Sequence, residues 1–140
     1  PSTRRSTIDF ITISSTGNAT SFGDLNITRS APASCSSSTR GFWAGGYISP
    51  VYYNAIEYIT ISSTGNATDF GDMTFAGAYR AGTSSQIRGI FSGGFTPTHQ
   101  NIIDYITMSS LGDAIDFGDS IVTRNGHGSC SDSHGGLGGF

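Results

Sequence analysis

The chain contains three copies of one repeat, and this feature constrains its fold more than any other. The pattern I-[DE]-[FY]-I-T-[IM]-S-S begins three times at spacings of 48 and 47 residues, at Ile8, Ile56 and Ile103. A Phe-Gly-Asp follows at the same spacings, with its glycine at Gly23, Gly71 and Gly118. A fixed period of about 20–50 residues is typical of arrays in which one supersecondary unit is stacked on its neighbours.

Each copy divides into strand-length pieces without helical periodicity. Residues 8–13 are rich in β-branched and aromatic side chains, which is typical of a strand. The segment STGNAT at 15–20 and 63–68 predicts a hairpin turn, because Gly and Asn tolerate positive φ. A second strand ends in Phe-Gly-Asp, and a small-residue stretch such as 31–38 precedes another strand at 40–47 or 88–95. The pattern predicts four short antiparallel strands per copy and little or no helix.

Four short strands in such a period predict an all-β fold, with each copy forming one blade of a β-propeller. We expect residues 1–140 to form a single propeller segment, with repeats at about 8–55, 56–102 and 103–140. The small-residue stretch suits the innermost strand, where blades crowd the axis. The large side chains before the paired glycines should pack within or between blades: Phe42, Trp43, Ile90 and Phe91.

Composition gives no reason to expect nucleic acid or a membrane as partner. Charged residues make up 12% of the chain, and the net charge is −3. No apolar run approaches the roughly 20 residues of a membrane span. Cys35 and Cys130 occupy the same place in the first and third copies, so we expect small buried thiols rather than a disulfide.

Acidic residues recur once per copy at two positions. One position holds Asp9, Glu57 and Asp104, and the other holds Asp24, Asp72 and Asp119. Paired carboxylates suit acid–base chemistry, but an active site requires asymmetry, whereas a residue present in every copy is more simply part of the scaffold. We therefore expect strand-end hydrogen bonds or ion pairs with Arg40 or Arg88, and no enzyme activity.

The histidines give only a weak indication of a metal site. His99, His127 and His134 lack the spacing of common ligand sets, although the last two flank Cys130. The glycines are distributed through the copies rather than grouped as a phosphate-binding loop. We expect neither a bound metal nor a cofactor.

The repeat resembles the kelch family. As in kelch repeats, a glycine pair follows an apolar strand, here Gly45-Gly46 and Gly93-Gly94. A loop then leads to a strand that carries an aromatic residue, Tyr58 or Tyr105. The kelch tryptophan of the fourth strand is missing, and phenylalanines stand near its place: Phe22, Phe70 and Phe117. The resemblance implies a propeller fold.

The repeat is also similar to arrays in tail-fibre and other virion proteins of marine bacteriophages. ITISSTGNATDFGD (59–72) and SCSSSTRG (34–41) carry this resemblance, which covers nearly the whole chain. It implies an adhesive or structural role on a virus particle, and hence an extracellular location. A repeat motif encodes fold more than function.

The segments that differ between copies are the candidates for recognition. The link after the glycine pair reads YISPVYYN (47–54) in one copy and FTPTHQN (95–101) in the next. The candidate ligand-binding side chains are Tyr47, Tyr52, Tyr53, Phe95 and His99. Flat rings with polar tips suit stacking on a host-surface glycan or docking a host protein, but they suit packing on the blade equally well. The sequence therefore favours a binding module, with a purely structural, ligand-free assembly repeat as the alternative.

The phase of the repeat predicts self-association. The chain begins with the third strand of a blade and ends near the second, so its ends are complementary parts of one blade. Three blades cannot close a ring, since propellers usually have about 4–8. Either a longer parent chain closes the ring or copies of this chain do so, and Pro1 at the start is consistent with a processed product or a piece of a longer chain. Among self-associated forms, a six-bladed homodimer is favoured over a nine-bladed homotrimer.

Overall fold

The computed structural model describes residues 4–131, which form antiparallel sheets joined by turns, with no helix in that range. The strands follow in the order β1 Thr7–Phe10, β2 Thr20–Asp24, β3 Ala33–Ser36, β4 Arg40–Ile48, β5 Val51–Thr60, β6 Thr68–Asp72, β7 Ala81–Ser84, β8 Arg88–Ser92, β9 Phe95–Thr96, β10 Thr98–Thr107 and β11 Ile115–Arg124. The all-β class predicted from the repeat is confirmed.

The strands group into three sheets. Sheet I contains β1 and β2, sheet II has the order β3-β4-β5-β6, and sheet III has the order β7-β8-β10-β11, with β9 also paired to β10. Sheet II has the four strands predicted for one copy, sheet III has the same four with β9 added, and sheet I has the last two alone. Within residues 4–131 the three sheets form no closed ring.

The last two strands of each sheet share one irregularity. Their register shifts between Ile8 and Asp9 in sheet I, between Ile56 and Glu57 in sheet II, and between Ile103 and Asp104 in sheet III. Each shift lies opposite the recurrent Phe-Gly-Asp, whose glycine has φ of 151° at Gly71 and 138° at Gly118. A glycine at a β-bulge accommodates a backbone conformation that other residues adopt at a cost.

The hairpin predicted at STGNAT is present, because residues 61–67 join the antiparallel strands β5 and β6, but its Gly-Asn pair lies outside the tight turn. The turn between β5 and β6 is closed earlier, where the Ser63 N–H donates to the Thr60 carbonyl at 3.1 Å. Gly65 and Asn66 instead reach sheet I. The Gly65 N–H donates to the Phe22 carbonyl at 2.9 Å, and Asn66 Oδ1 accepts from the Asp24 N–H at 3.1 Å.

The main core lies between sheets II and III. It is built on Phe42 and Phe70 from sheet II and on Phe91 and Ile106 from sheet III. A smaller cluster between sheets I and II contains Ile8, Phe22 and Ala67, with Trp43 packed against it. Because strand residues alternate between faces, neighbours Phe42 and Trp43 serve different cores. Phe42 and Phe91 are buried, whereas Trp43 and Ile90 are half-buried.

The contact between sheets I and II is repeated between sheets II and III. The Gly112 N–H donates to the Phe70 carbonyl at 3.0 Å, as Gly65 does to Phe22. The Ala114 N–H donates to the Asp72 carbonyl at 2.7 Å, and Ala67 donates to Asp24 at 2.8 Å. One stacking arrangement therefore relates successive sheets.

The strands of small residues lie side by side, in agreement with the expected crowding. A Cβ on Gly82 of β7 would lie 2.1 Å from the Ser34 carbonyl oxygen of β3. The Ser84 hydroxyl donates to the Ser36 carbonyl at 2.7 Å, and the Ser131 hydroxyl donates to the Ser84 carbonyl at the same distance. The segment ending at Ser131 therefore stacks on β7 as β7 stacks on β3.

Candidate ligand-binding site

Four of the five predicted ligand-binding residues form one aromatic row. Tyr47 and Tyr52 face each other across the β4–β5 hairpin, with ring centroids 4.7 Å apart. Tyr52 lies 6.1 Å from Phe95 of sheet III, and Phe95 lies 5.3 Å from the His99 ring. The row therefore crosses from sheet II to sheet III.

The backbone beneath the aromatic row is fixed by paired hydrogen bonds. Tyr47 exchanges two backbone hydrogen bonds with Ser30, at 2.9 and 3.0 Å, and Phe95 exchanges two with Ala78, at 2.8 and 3.1 Å. The strand turns toward these bridges at the glycine pairs. Gly45 has a φ of 66°, and a Cβ added to Gly45 would lie 2.4 Å from the Gly77 carbonyl oxygen. The rings are therefore carried on ordered strand ends.

The aromatic row is only partly covered by the protein. Tyr47, Tyr52 and Phe95 are half-buried, and His99 is exposed. Desolvation, with smaller contributions from Tyr47 and Tyr79, raises the pKa of the Tyr52 hydroxyl above its ordinary value. The phenol is therefore a neutral hydrogen-bond donor at physiological pH, next to ring faces that a ligand can cover.

Tyr53 does not belong to the aromatic row. Its carbonyl accepts from the Gly77 N–H at 3.1 Å. Its phenol lies on the side of the buried Arg29: desolvation lowers the pKa of Arg29, and Glu57 and Tyr53 partly offset that lowering. Successive side chains of β5 point to opposite faces, so Tyr52 and Tyr53 have different surroundings.

Tyr79 is a candidate that the sequence analysis missed. It is exposed and has a φ of 58°, and the corresponding residue 48 positions earlier is Ala31, with a φ of 52°. Its influence on Tyr52 places it near the aromatic row. When the copies are aligned, Ala31 of one copy is replaced by Tyr79 in the next, and this difference could have identified Tyr79 from the sequence.

Two of the recurrent carboxylates form buried ion pairs, but not with the expected arginines. Glu57 pairs with Arg29 at 2.9 Å, and Asp104 pairs with Arg80 at 2.6 Å, with all four side chains buried. The expected partners were Arg40 and Arg88, and that prediction is wrong for these two carboxylates. Desolvation lowers the pKa of both paired arginines, and their carboxylates oppose the shift.

The two buried arginines reach equivalent acceptors from different chain positions. Arg29 donates to the Trp43 and Ala55 carbonyls, both at 3.3 Å. Arg80 donates to the corresponding carbonyls of Phe91 and Ile102, at 2.9 and 3.3 Å. Each guanidinium thus ties a carboxylate to two strands of its sheet, which is a structural role. In sheet I, the corresponding Asp9 is exposed.

The other repeat positions lie where sheets meet or at the outer end of the stack. The Arg40 guanidinium stacks 4.7 Å from the Tyr58 ring centroid and donates to the Met108 carbonyl at 2.7 Å, and Arg88 stacks 4.8 Å from Tyr105. The backbone N–H groups of Asp24 and Asp72 are bound by side chains of the following sheet, Asn66 and Asp113. Asp119, the third member of this series, is exposed in β11, and Gly46 and Gly94 continue their glycine pairs with φ of 120° and 119°.

No metal centre is assembled within residues 4–131, where no three His, Cys, Asp or Glu side chains lie together. His127 Nε2 is instead 3.0 Å from the Ser92 hydroxyl, and His134 lies outside the described residues. Both cysteines are free; Cys35 is half-buried, while Cys130 is exposed, contrary to expectation. Burial raises the pKa of the Cys35 thiol to about 12. No helix in this part of the chain could cross a membrane.

The fold and the site define an all-β repeat protein whose stacked antiparallel sheets carry an aromatic row across two neighbouring sheets. The sequence matches no known protein-family model and no curated protein.

Proposed function

We propose that this chain is a non-enzymatic binding module of the β-propeller type, acting as a tail-fibre-like adhesin on a virus particle. In this proposal the aromatic row contacts a glycan or a protein on the host surface. The observation that carries it is the continuity of the row from Tyr47 through Tyr52 and Phe95 to His99, with each ring centroid within 6.1 Å of the next.

The chemistry of the row suits recognition. Tyrosine provides a large, rigid contact area with few rotatable bonds, together with a hydroxyl that forms hydrogen bonds. The supporting bridges at Ser30 and Ala78 are equivalent in the two sheets, whereas the ring-bearing segments differ. A constant framework that presents variable side chains is the usual arrangement of loop-based binding sites.

The alternative is a purely structural repeat with no ligand. The repetition of the inter-sheet hydrogen bonds at Gly65 and Gly112 favours it, because such an interface needs only further copies of itself. In that case the aromatic row would pack against a neighbouring subunit rather than a ligand.

Binding to a glycan array or to host-cell envelopes tests the adhesin proposal. Tyr52→Ala removes the central ring, and we expect binding to weaken at least about tenfold, as for a central aromatic contact. Tyr52→Phe keeps the ring and removes only the hydroxyl, so it separates stacking from hydrogen bonding. Tyr53→Phe is the matched control, because its phenol lies outside the row.

The result that would overturn the adhesin proposal is equal binding by wild-type and Tyr52→Ala chains, with both still folded by circular dichroism. Failure of the wild type to bind any glycan or envelope, together with protection of Tyr52 from chemical modification in the assembled protein, would support the structural alternative.

A further inference from the structure

We infer that a second copy of this chain docks head to tail, with the outer face of its sheet I against the outer face of sheet III of the first. This inference is independent of the ligand-binding proposal. The interface between sheets II and III serves as its template, because both halves of that interface recur unpaired at the two ends of the stack.

The outer face of sheet III carries one side of this interface, and in sheets I and II the equivalent surface is covered by the next sheet. Phe70 is 3% exposed beneath sheet III, whereas the corresponding Phe117 is 54% exposed. A Cβ on Gly71 would lie 2.4 Å from the Gly112 carbonyl oxygen, whereas one on Gly118 would meet no atom within 4 Å. Sheet III therefore has an apolar face with room for a neighbouring backbone.

The outer face of sheet I presents the other half. Met108 is 2% exposed against sheet II, whereas Ile13, which occupies the same place in the repeat, is 94% exposed. Gly17, Asn18 and Ala19 stand at the repeat spacing before residues 65–67, which bind sheet I. By the same geometry the Gly17 N–H would donate to the Phe117 carbonyl of the other copy.

Charge complementarity supports the same pairing. Asp9 corresponds to Glu57, which is buried against Arg29 of the preceding segment, but Asp9 is exposed. Arg124 stands at the repeat spacing after Arg29 and Gly77, and it is also exposed. Head-to-tail docking brings Arg124 of one copy to Asp9 of the other, which recreates the ion pair found inside the chain.

A groove beside sheet I gives the docking a further contact. It has a volume of about 470 Å³ and is lined by Phe10, Phe22 and Trp43. In sheet II, Phe42 packs on the corresponding rings, 5.2 Å from Phe70 and 6.1 Å from Tyr58. The residue at the repeat spacing after Phe42 and Ile90 is Leu137, which lies outside the described residues. We expect the second copy to cover this groove, so that two copies form six blades.

Single-face variants of the full chain test the docking by light scattering and native mass spectrometry. Ile13→Glu blocks only the sheet I face, and Phe117→Glu blocks only the sheet III face. We expect each variant alone to associate at least tenfold more weakly than the wild type. An equimolar mixture should form one-to-one pairs, because each variant keeps the face that the other lacks.

Ile87→Glu is the matched control, since Ile87 is exposed in the turn between β7 and β8, away from both faces. It should associate like the wild type, and circular dichroism should show that all three variants are folded.

Three outcomes would overturn the inference. One is a wild-type chain that remains monomeric at the highest soluble concentration. Another is association that persists in Ile13→Glu but is lost in Phe117→Glu, since that pattern indicates two sheet III faces meeting each other. The third is a mixture of the two variants that forms no pairs although both are folded.

Discussion

The buried arginines show at the scale of single residues what the repeat could and could not predict. Recurrence of the carboxylates correctly indicated a scaffold role for Glu57 and Asp104. Their partners were assigned wrongly because Arg40 and Arg88 follow the 48-residue spacing, whereas Arg29 and Arg80 are 51 residues apart. A long side chain can reach one site from different backbone positions, and no spacing rule detects that.

Arg80→Ala should be strongly destabilising. It leaves the Asp104 carboxylate in a buried site with the Thr74 hydroxyl, at 2.6 Å, as its remaining side-chain partner. Breaking a buried pair costs about 3–5 kcal/mol, because an uncompensated charge stays behind. Urea denaturation should show this loss as a lower midpoint.

Arg88→Ala is the control for that measurement. Arg88 is exposed and stacks on Tyr105, so its loss should cost only about 0.5–1 kcal/mol. The double variant Arg80→Met/Asp104→Leu should be more stable than Arg80→Ala. Equal urea denaturation midpoints for Arg80→Ala and Arg88→Ala would show that breaking the buried ion pair costs no more stability than removing the exposed arginine.

The two thiols should differ in reactivity. Burial raises the pKa of Cys35 to about 12, so its reactive thiolate is scarce at pH 8, whereas Cys130 is exposed. Iodoacetamide should therefore modify Cys130 first, and the Cys130→Ser variant should react slowly. Because the folded pKa of Cys35 is raised, its contribution to stability is complete below pH 9 and is lost as the pH rises toward 12. Rapid alkylation of the folded Cys130→Ser chain would contradict the expected low reactivity of Cys35.

At the scale of elements, the strands were more predictable than their connections. Runs of β-branched and aromatic residues indicated β1, β5 and β10, because such side chains fit a pleated, half-buried surface. The Gly-Asn segment was assigned to a turn on local preference, but its groups bind the adjacent sheet. A partner distant in sequence determined the role of Gly65 and Asn66, so local turn chemistry could not reveal it.

A pair of glycine variants tests the contact between sheets. Both Gly71→Ala and Gly118→Ala place a side chain at positive φ, which costs about 1–3 kcal/mol of backbone strain. Only Gly71→Ala also forces a Cβ against the Gly112 carbonyl. Thermal denaturation of dilute, monomeric samples should therefore show a larger loss for Gly71→Ala, and equal losses would mean that the close contact between sheets is not maintained in solution.

At the scale of the whole molecule, the repeat period predicted that equivalent units stack on one another, but it did not predict which residues form the aromatic row. The repeat fixes which residues meet between sheets, since each interface uses equivalent positions, as at Gly65 and Gly112. The row depends on residues that break the repeat, such as Tyr52 and His99. Positions that vary between copies carry no pattern, so only three-dimensional proximity identifies which of them act together.

Stability should be uneven along the stack, and hydrogen exchange can measure it. Within residues 4–131, sheet I has two strands and packs through the small cluster of Ile8, Phe22 and Ala67, whereas sheets II and III share the larger core. A two-stranded sheet is marginally stable by itself. In dilute protein, amides of residues 4–24 should therefore exchange much faster than those of residues 40–60 or 88–107. Raising the concentration should slow exchange in 4–24 when a second copy covers this sheet, and the Ile13→Glu variant should show no such slowing. Protection of 4–24 equal to that of 40–60 in a monomer would contradict both the graded stability and the need for a covering partner.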